Sequence, residues 1–181
     1  MRSIYDEPAY KKIRDFFNEP DYMHSCAFGL PFYLKRNWAK TWCGYVGVPP
    51  SHPHFGMGCS NTVKYDRWRE LPVGNKSPVV LLCGSLYSNG DQVSLDLLYD
   101  CPGGLTWAAD HVADEYPDGY WYFGFDCNHY NDYSPKDAMA ELVEPWDFGD
   151  RQYRNMAYAI KGAMHLANQL SDFTSAYPEV L

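Results

Sequence analysis

At 181 residues the chain is long enough for one domain with a sizeable core, residues 1–181, and short for two. Its formal net charge of −8 argues against a broad phosphate-neutralising face, and so against duplex nucleic acid as a partner. No apolar run approaches the roughly 20 residues that cross a bilayer, which argues against a membrane.

Residues 7–18, EPAYKKIRDFFN, predict a first helix with Pro8 in its first turn and Tyr10, Ile13, Phe16 and Phe17 on one side. Residues 24–38, HSCAFGLPFYLKRNW, have no clear period and read as irregular or a short helical turn. Thr41 to Val48 reads as a strand stopped by Pro49-Pro50. The long segment PPSHPHFGMGCSN then reads as a loop on its Pro, Gly and His content.

VKYDRWREL, residues 63–71, is ambiguous between helix and strand. SPVVLLCGSL, residues 77–86, reads as a buried strand. Asn89-Gly90-Asp91 reads as a turn, and QVSLDLLYD as the returning strand of a hairpin. A short β-type run follows Gly103-Gly104, and Pro117-Asp118-Gly119 is another turn. Tyr120 to Cys127, YWYFGFDC, is an aromatic-rich strand.

Pro135 to Val143 predicts a short helix. Asp150 to Phe173 predicts a long one, capped by Asp150, with Tyr153, Ala157, Ile160, Met164 and Ala167 as its apolar stripe. The pattern is α+β: a mixed or antiparallel sheet with an N-terminal helix and a long C-terminal helix.

Chemistry-bearing residues crowd the end of the aromatic strand, where Asp126, Cys127, Asn128, His129 and Asp132 fall within seven positions. A metal reading takes His52, His54, Asp126 and His129 as ligands, since zinc accepts His, Cys and Asp together. No H-E-x-x-H, C-x-x-C or EF-hand loop accompanies them. The competing reading of His52-Pro53-His54 is a surface loop whose prolines fix its path. Cys127 beside His129 has the residue types of a thiol nucleophile, but a buried free cysteine explains it more simply.

Gly103-Gly104 permits a close backbone approach or a positive φ, as a bulge, a turn or a ligand cradle. His24, His111 and His165 are isolated and read as packing or surface residues. The six cysteines are widely spread and the N-terminus is polar and charged, which favours free thiols in a reducing cytoplasm.

Four segments in order resemble a family of small phage and prophage proteins: GYVGVPPSHPHFG (Gly44 to Gly56), GGLTWA (Gly103 to Ala108), WYFGFDCNHYND (Trp121 to Asp132) and YRNMAYAIKGAMHLANQL (Tyr153 to Leu170). The family pattern runs from Gly-Tyr-Val to a His-Pro loop, then His-Gly-Gly-Leu-Thr-Tyr, then Gly-Phe-Asp-Cys-Ala-His with an Asp soon after. The matching positions are His52, Pro53, Gly103, Gly104, Leu105, Thr106, Gly124, Phe125, Asp126, Cys127 and His129. Pro102 stands where the pattern has His, which weakens an enzymatic reading more than a binding one.

The resemblance implies a phage origin, and so the cytoplasm of an infected bacterial host. The function expected on these grounds is binding of a small polar, nucleotide-like ligand, such as a sequestered host immune signal. Gly103, Gly104, Thr106, Trp107, Trp121, Asp126 and His129 would form the pocket, with no cofactor required and a divalent metal as an option. A metal-dependent hydrolase of a nucleotide or phosphoester is the alternative. An inhibitor that binds a host protein is another, and a homo-oligomer is compatible with each.

Overall fold

The structure is a computed structural model that describes residues 8–65, 76–113, 116–143 and 149–176. It is α+β. Five strands form an antiparallel sheet in the order β1-β2-β3-β7-β6: β1 (Tyr22–Ala27), β2 (Leu30–Arg36), β3 (Trp42–Val48), β7 (Trp121–Asp126) and β6 (Trp107–Ala109). Two short strands, β4 (Thr62–Lys64) and β5 (Gln92–Ser94), pair separately. The helices are α1 (Pro8–Lys12), α2 (Pro78–Tyr87), α3 (Leu95–Leu98), α4 (Pro135–Val143) and α5 (Met156–Ala176).

Strand alternation gives the sheet two different faces. Leu30, Phe32, Leu34, Trp42, Val46, Phe123 and Phe125 point to the main core with Ala159, Ala163, Leu166 and Leu170 of α5. The other face carries a tyrosine layer in which Tyr33, Tyr116 and Tyr122 are buried, with Tyr45 and Trp107 beside them. Helix α5 meets the sheet through small residues. A Cβ at Gly162 would lie 2.6 Å from Pro102 and 3.0 Å from the Phe125 ring.

Several expectations need correction. Residues 24–36 belong to an antiparallel hairpin, β1 to β2, with Ala27 opposite Leu30, and Asn37 and Trp38 open the next turn. The hairpin's two-residue turn, Phe28 (φ 53°) and Gly29 (φ 78°), has positive φ at both positions, as a primed hairpin turn requires. The first helix breaks at Ile13 into α1 and a 3-10 turn, Arg14–Asn18.

Residues 78–87 are helix α2, not a strand. Ser77 caps it by accepting from the Val80 N–H at 3.3 Å, and Pro78 occupies the first turn. Val79, Leu82 and Leu86 face outward from it. QVSLDLLYD splits into β5 and α3, and β5 pairs with β4 rather than with residues 78–87. In VKYDRWREL, residues 66–71 lie outside the described residues.

The long helix starts at Met156. Its N-cap is Asn155, whose side chain accepts from the Tyr158 N–H at 3.0 Å, not Asp150. The buried stripe is Ala159, Ala163, Leu166, Ala167 and Leu170, whereas Ala157 and Met164 face out.

The His-Pro segment is a loop but not a surface one, because His52 and His54 are both buried. His52 Nε2 donates to the Leu170 carbonyl at 3.0 Å and its Nδ1 accepts from the His54 N–H at 3.0 Å. The Tyr99 hydroxyl meets His54 Nδ1 at 2.6 Å. These rings tie the loop to α5 and to the residue after α3. All six cysteines are free thiols.

Candidate functional site

A cleft of about 660 Å³ opens where four segments converge. These are the start of α2 (Lys76 to Val80), the Pro102-to-Thr106 turn, the C-terminal end of β7 with the turn after it (Asp126 to Asp132), and the start of α5 (Arg154, Tyr158). The β3–β7 register continues past Asp126 through the Cys127 N–H, which donates to the Trp42 carbonyl at 2.8 Å. That bond turns Cys127 into the core and sends Asn128 and His129 toward the cleft. Cys127 is 1% exposed and burial pushes its thiol well up, so it does not act as a nucleophile there.

Asp132 organises the polar wall. It is 8% exposed and accepts from the His129 N–H at 2.9 Å and from Arg154 Nε at 2.7 Å, while its Oδ2 lies 3.2 Å from His129 Nδ1. The hydrogen bond to Asp132 raises the His129 pKa above its ordinary value, against the opposing effect of burial. Burial pushes the Asp132 carboxyl up, but hydrogen bonds from His129 and Arg154 outweigh it and hold it below the usual carboxylate range. With Nδ1 engaged, the other imidazole nitrogen, Nε2, stands 3.9 Å from Asp126 Oδ1. Asp126 in turn accepts from the Asn128 N–H at 2.8 Å.

Gly103 forms the floor beneath the imidazole. Its φ is +71°, and a Cβ there would lie 1.9 Å from both Cε1 and Nε2 of His129. The ring therefore rests on bare backbone. The Gly103 carbonyl accepts from the Ser77 N–H at 2.8 Å, which fixes the start of α2 to the same floor. Lys76 is buried and donates to the Tyr99 carbonyl. Burial lowers its pKa, against the attraction of Asp100 and Asp96.

Among the described residues that line the cleft, the charged ones are three basic (Lys76, His129, Arg154) and two acidic (Asp126, Asp132). The balance is positive when His129 is protonated. The aromatic walls are Tyr130, 83% exposed, and Tyr158, which carries the Arg154 guanidinium 4.8 Å above its ring.

Of the residues expected from sequence, Gly103, Thr106, Asp126 and His129 meet in this cleft. Gly104 does not line it and packs against Val80 instead. Trp107 stands edge-on to Tyr45 at 5.2 Å in the tyrosine layer. Trp121 donates Nε1 to the Met57 carbonyl at 2.8 Å beside Phe55. Neither indole reaches the cleft. His52 and His54 are spent on core hydrogen bonds, and among the described residues no three His, Cys, Asp or Glu side chains group to hold a metal ion.

Arg154, Tyr158, Tyr130 and Lys76 were not expected. Arg154, Tyr158 and Tyr130 lie inside segments that resemble the phage family, but not at its matching positions, and Lys76 lies in none of them. No protein-family model matches the chain, and neither a curated protein nor a solved structure does. Among the described residues no helix is long and apolar enough to cross a membrane.

Proposed function

We propose that this chain binds a small anionic ligand, nucleotide-like in class, in the cleft between α2, β7 and α5. The observation that carries the reading is the convergence of Arg154, a His129 held by Asp132, and the start of α2 over a floor that only glycine can form. Arg154 and protonated His129 attract a phosphate or carboxylate, and the first turn of α2 adds the positive end of its dipole. Tyr130 and Tyr158 supply the aromatic faces for a base or ring. The resemblance to phage proteins supports a host nucleotide signal as one ligand of this class.

Calorimetric titration with adenosine monophosphate, inorganic phosphate and adenosine tests this reading. The monophosphate is expected to bind and the uncharged nucleoside to bind at least about tenfold more weakly. Arg154→Ala and Gly103→Ala are each expected to cut monophosphate binding by about tenfold or more, the second by displacing the His129 ring. Binding should weaken as pH rises through the raised His129 pKa, because the imidazolium charge is lost there. Equal binding of nucleoside and monophosphate, or no response to either substitution in a protein that still melts cooperatively, would sink the proposal.

A second reading is favoured by one detail: Asp132 fixes His129 through Nδ1 and leaves Nε2 as the proton-carrying atom toward the cleft. Under that reading the cleft hydrolyses a phosphoester. Product then accumulates during titration, and His129→Gln stops turnover while binding persists.

A further inference from the structure

A second cavity, of about 260 Å³, lies between the N-terminal helical segment, the β2–β3 turn and α4. Tyr10, Phe16 and Phe17 make one wall, with Tyr10 and Phe17 stacked at 5.4 Å and Phe16 edge-on to Phe17 at 5.4 Å. Buried Ile13 and Pro135 close the floor, and Met139 and Trp38 stand at the mouth. Trp38 is 74% exposed and Met139 63%, so large apolar surfaces face water around a concave apolar site.

Among the described residues, the charged side chains on this lining are Lys40 and Lys136, with no carboxylate between them. On a chain of net charge −8 this is a local reversal. Lys136 Nζ lies 4.0 Å from the Trp38 ring centroid, and Lys40 has a loose contact, 3.9 Å, with the exposed Asp21. Both ammonium groups keep donors for a ligand.

The turn that presents Trp38 and Lys40 is held by hydrogen bonds to one of its own side chains. The Asn37 side chain accepts from the Ala39 and Thr41 N–H groups at 2.9 and 3.1 Å, and Lys40 sits at φ 63°, a left-handed conformation uncommon for a lysine. Strain kept in a turn that positions an exposed indole and an ammonium group suits a binding edge.

We propose that this cavity binds a small hydrophobic carboxylate. The acyl or aromatic body would lie between the Phe16–Phe17 wall and Trp38, and its carboxylate would bridge Lys40 and Lys136. Apolar walls supply affinity, and the two lysines select the charge of the head group.

Calorimetry on the full chain with decanoate, and with decylammonium and decanol as controls, tests the proposal. Decanoate is expected to bind at least about tenfold more tightly than decylammonium. The exposed double substitution Lys40→Glu with Lys136→Glu should invert that order, and Trp38→Ala should weaken both ligands. Arg154→Ala should leave decanoate binding unchanged, which separates this cavity from the cleft. Equal affinity for acid and amine, indifference to the charge reversal, binding that follows self-association of the chain, or no binding at about 1 mM decanoate would overturn it.

Discussion

Glu19→Ala is expected to cost about 3 kcal/mol of stability, because it removes the buried counter-charge of a buried guanidinium. Glu19 Oε2 accepts from Arg36 Nη2 at 2.8 Å, Trp42 Nε1 at 3.1 Å and the Tyr153 hydroxyl at 2.8 Å, while Oε1 accepts from the Met156 N–H at 2.6 Å. Arg36 also donates to the Lys40 carbonyl and to the Tyr153 hydroxyl, both at 2.7 Å, and lies over the Phe16 and Trp42 rings. Its side chain is 2% exposed. One carboxylate therefore joins the N-terminal segment, the sheet and the first turn of α5.

Among the described residues, removing Glu19 leaves Arg36 with only the exposed Asp21, 3.3 Å from its Nε, as counter-charge, and losing the buried partner costs more than losing an exposed pair. Glu19→Gln keeps one acceptor oxygen where the carboxylate has two, and should lose less than the alanine variant. Denaturant unfolding gives the number. A loss under about 1 kcal/mol would mean that water reaches the network. Because Glu19 also holds the start of α5, the alanine variant should weaken ligand binding in the Arg154 cleft as well.

Acidification is expected to destabilise the fold through His54 before most carboxylates titrate. Burial first, and then the neighbouring His52, lower the His54 pKa to about 3. The unfolded chain takes up this proton near the ordinary value of 6.5, whereas the folded chain resists it to about 3. Stability therefore falls as pH drops through that window, by up to about 5 kcal/mol in full and by roughly 3 kcal/mol at pH 4.5.

His129 acts in the opposite sense. Its raised pKa adds stability below about 6.5 that is lost as pH rises through the folded value. Urea unfolding at neutral pH and near pH 4.5, with His54→Gln beside the parent, separates the effects. The glutamine variant should show a clearly shallower acid dependence, and an identical dependence in the two proteins would remove His54 as the cause.

The well-read elements had local punctuation. Pro135 opens α4, Pro49-Pro50 closes β3, and the aromatic run of β7 is bounded by turns at Pro117-Asp118-Gly119 and after Asp126. The β1–β2 hairpin was hidden because its left-handed turn uses Phe28 rather than the usual Asn or Asp. Helix α2 was hidden because a short apolar run has no period to separate strand from helix, although Ser77-Pro78 carried the capping signal. The expected stripe of α5 was turned partly away from the sheet, toward Ala157 and Met164, whereas the sheet-facing side is Ala159, Ala163, Leu166, Ala167 and Leu170, where the small residues and Gly162 allow close approach.

Half of the site was legible for a similar reason. Asp126 and His129 stand next to each other on one strand end, and a glycine pair announces unusual backbone. Arg154 and Lys76 come from distant elements, and only tertiary structure brings them in. Trp121 could have been set aside by alternation, since it and Asp126 lie on opposite faces of β7.

The order of the strands also bears on how the cleft comes into being. Strands β1, β2 and β3 follow one another through short turns, whereas the β3–β7 register joins Val48 to Trp121 and Cys43 to Asp126 across the intervening chain. The loop-closure entropy for that second pairing is lost before its contacts repay it. The three-stranded meander is thus expected to form first, and the ligand cleft to be a late product of folding. Pulsed hydrogen exchange should protect the Leu34 amide before that of Phe123, and the reverse order would contradict it. A chain caught between the two stages would have a sheet but no Asp126–His129 wall, so ligand in the refolding buffer should leave early steps unchanged and stabilise only the final one.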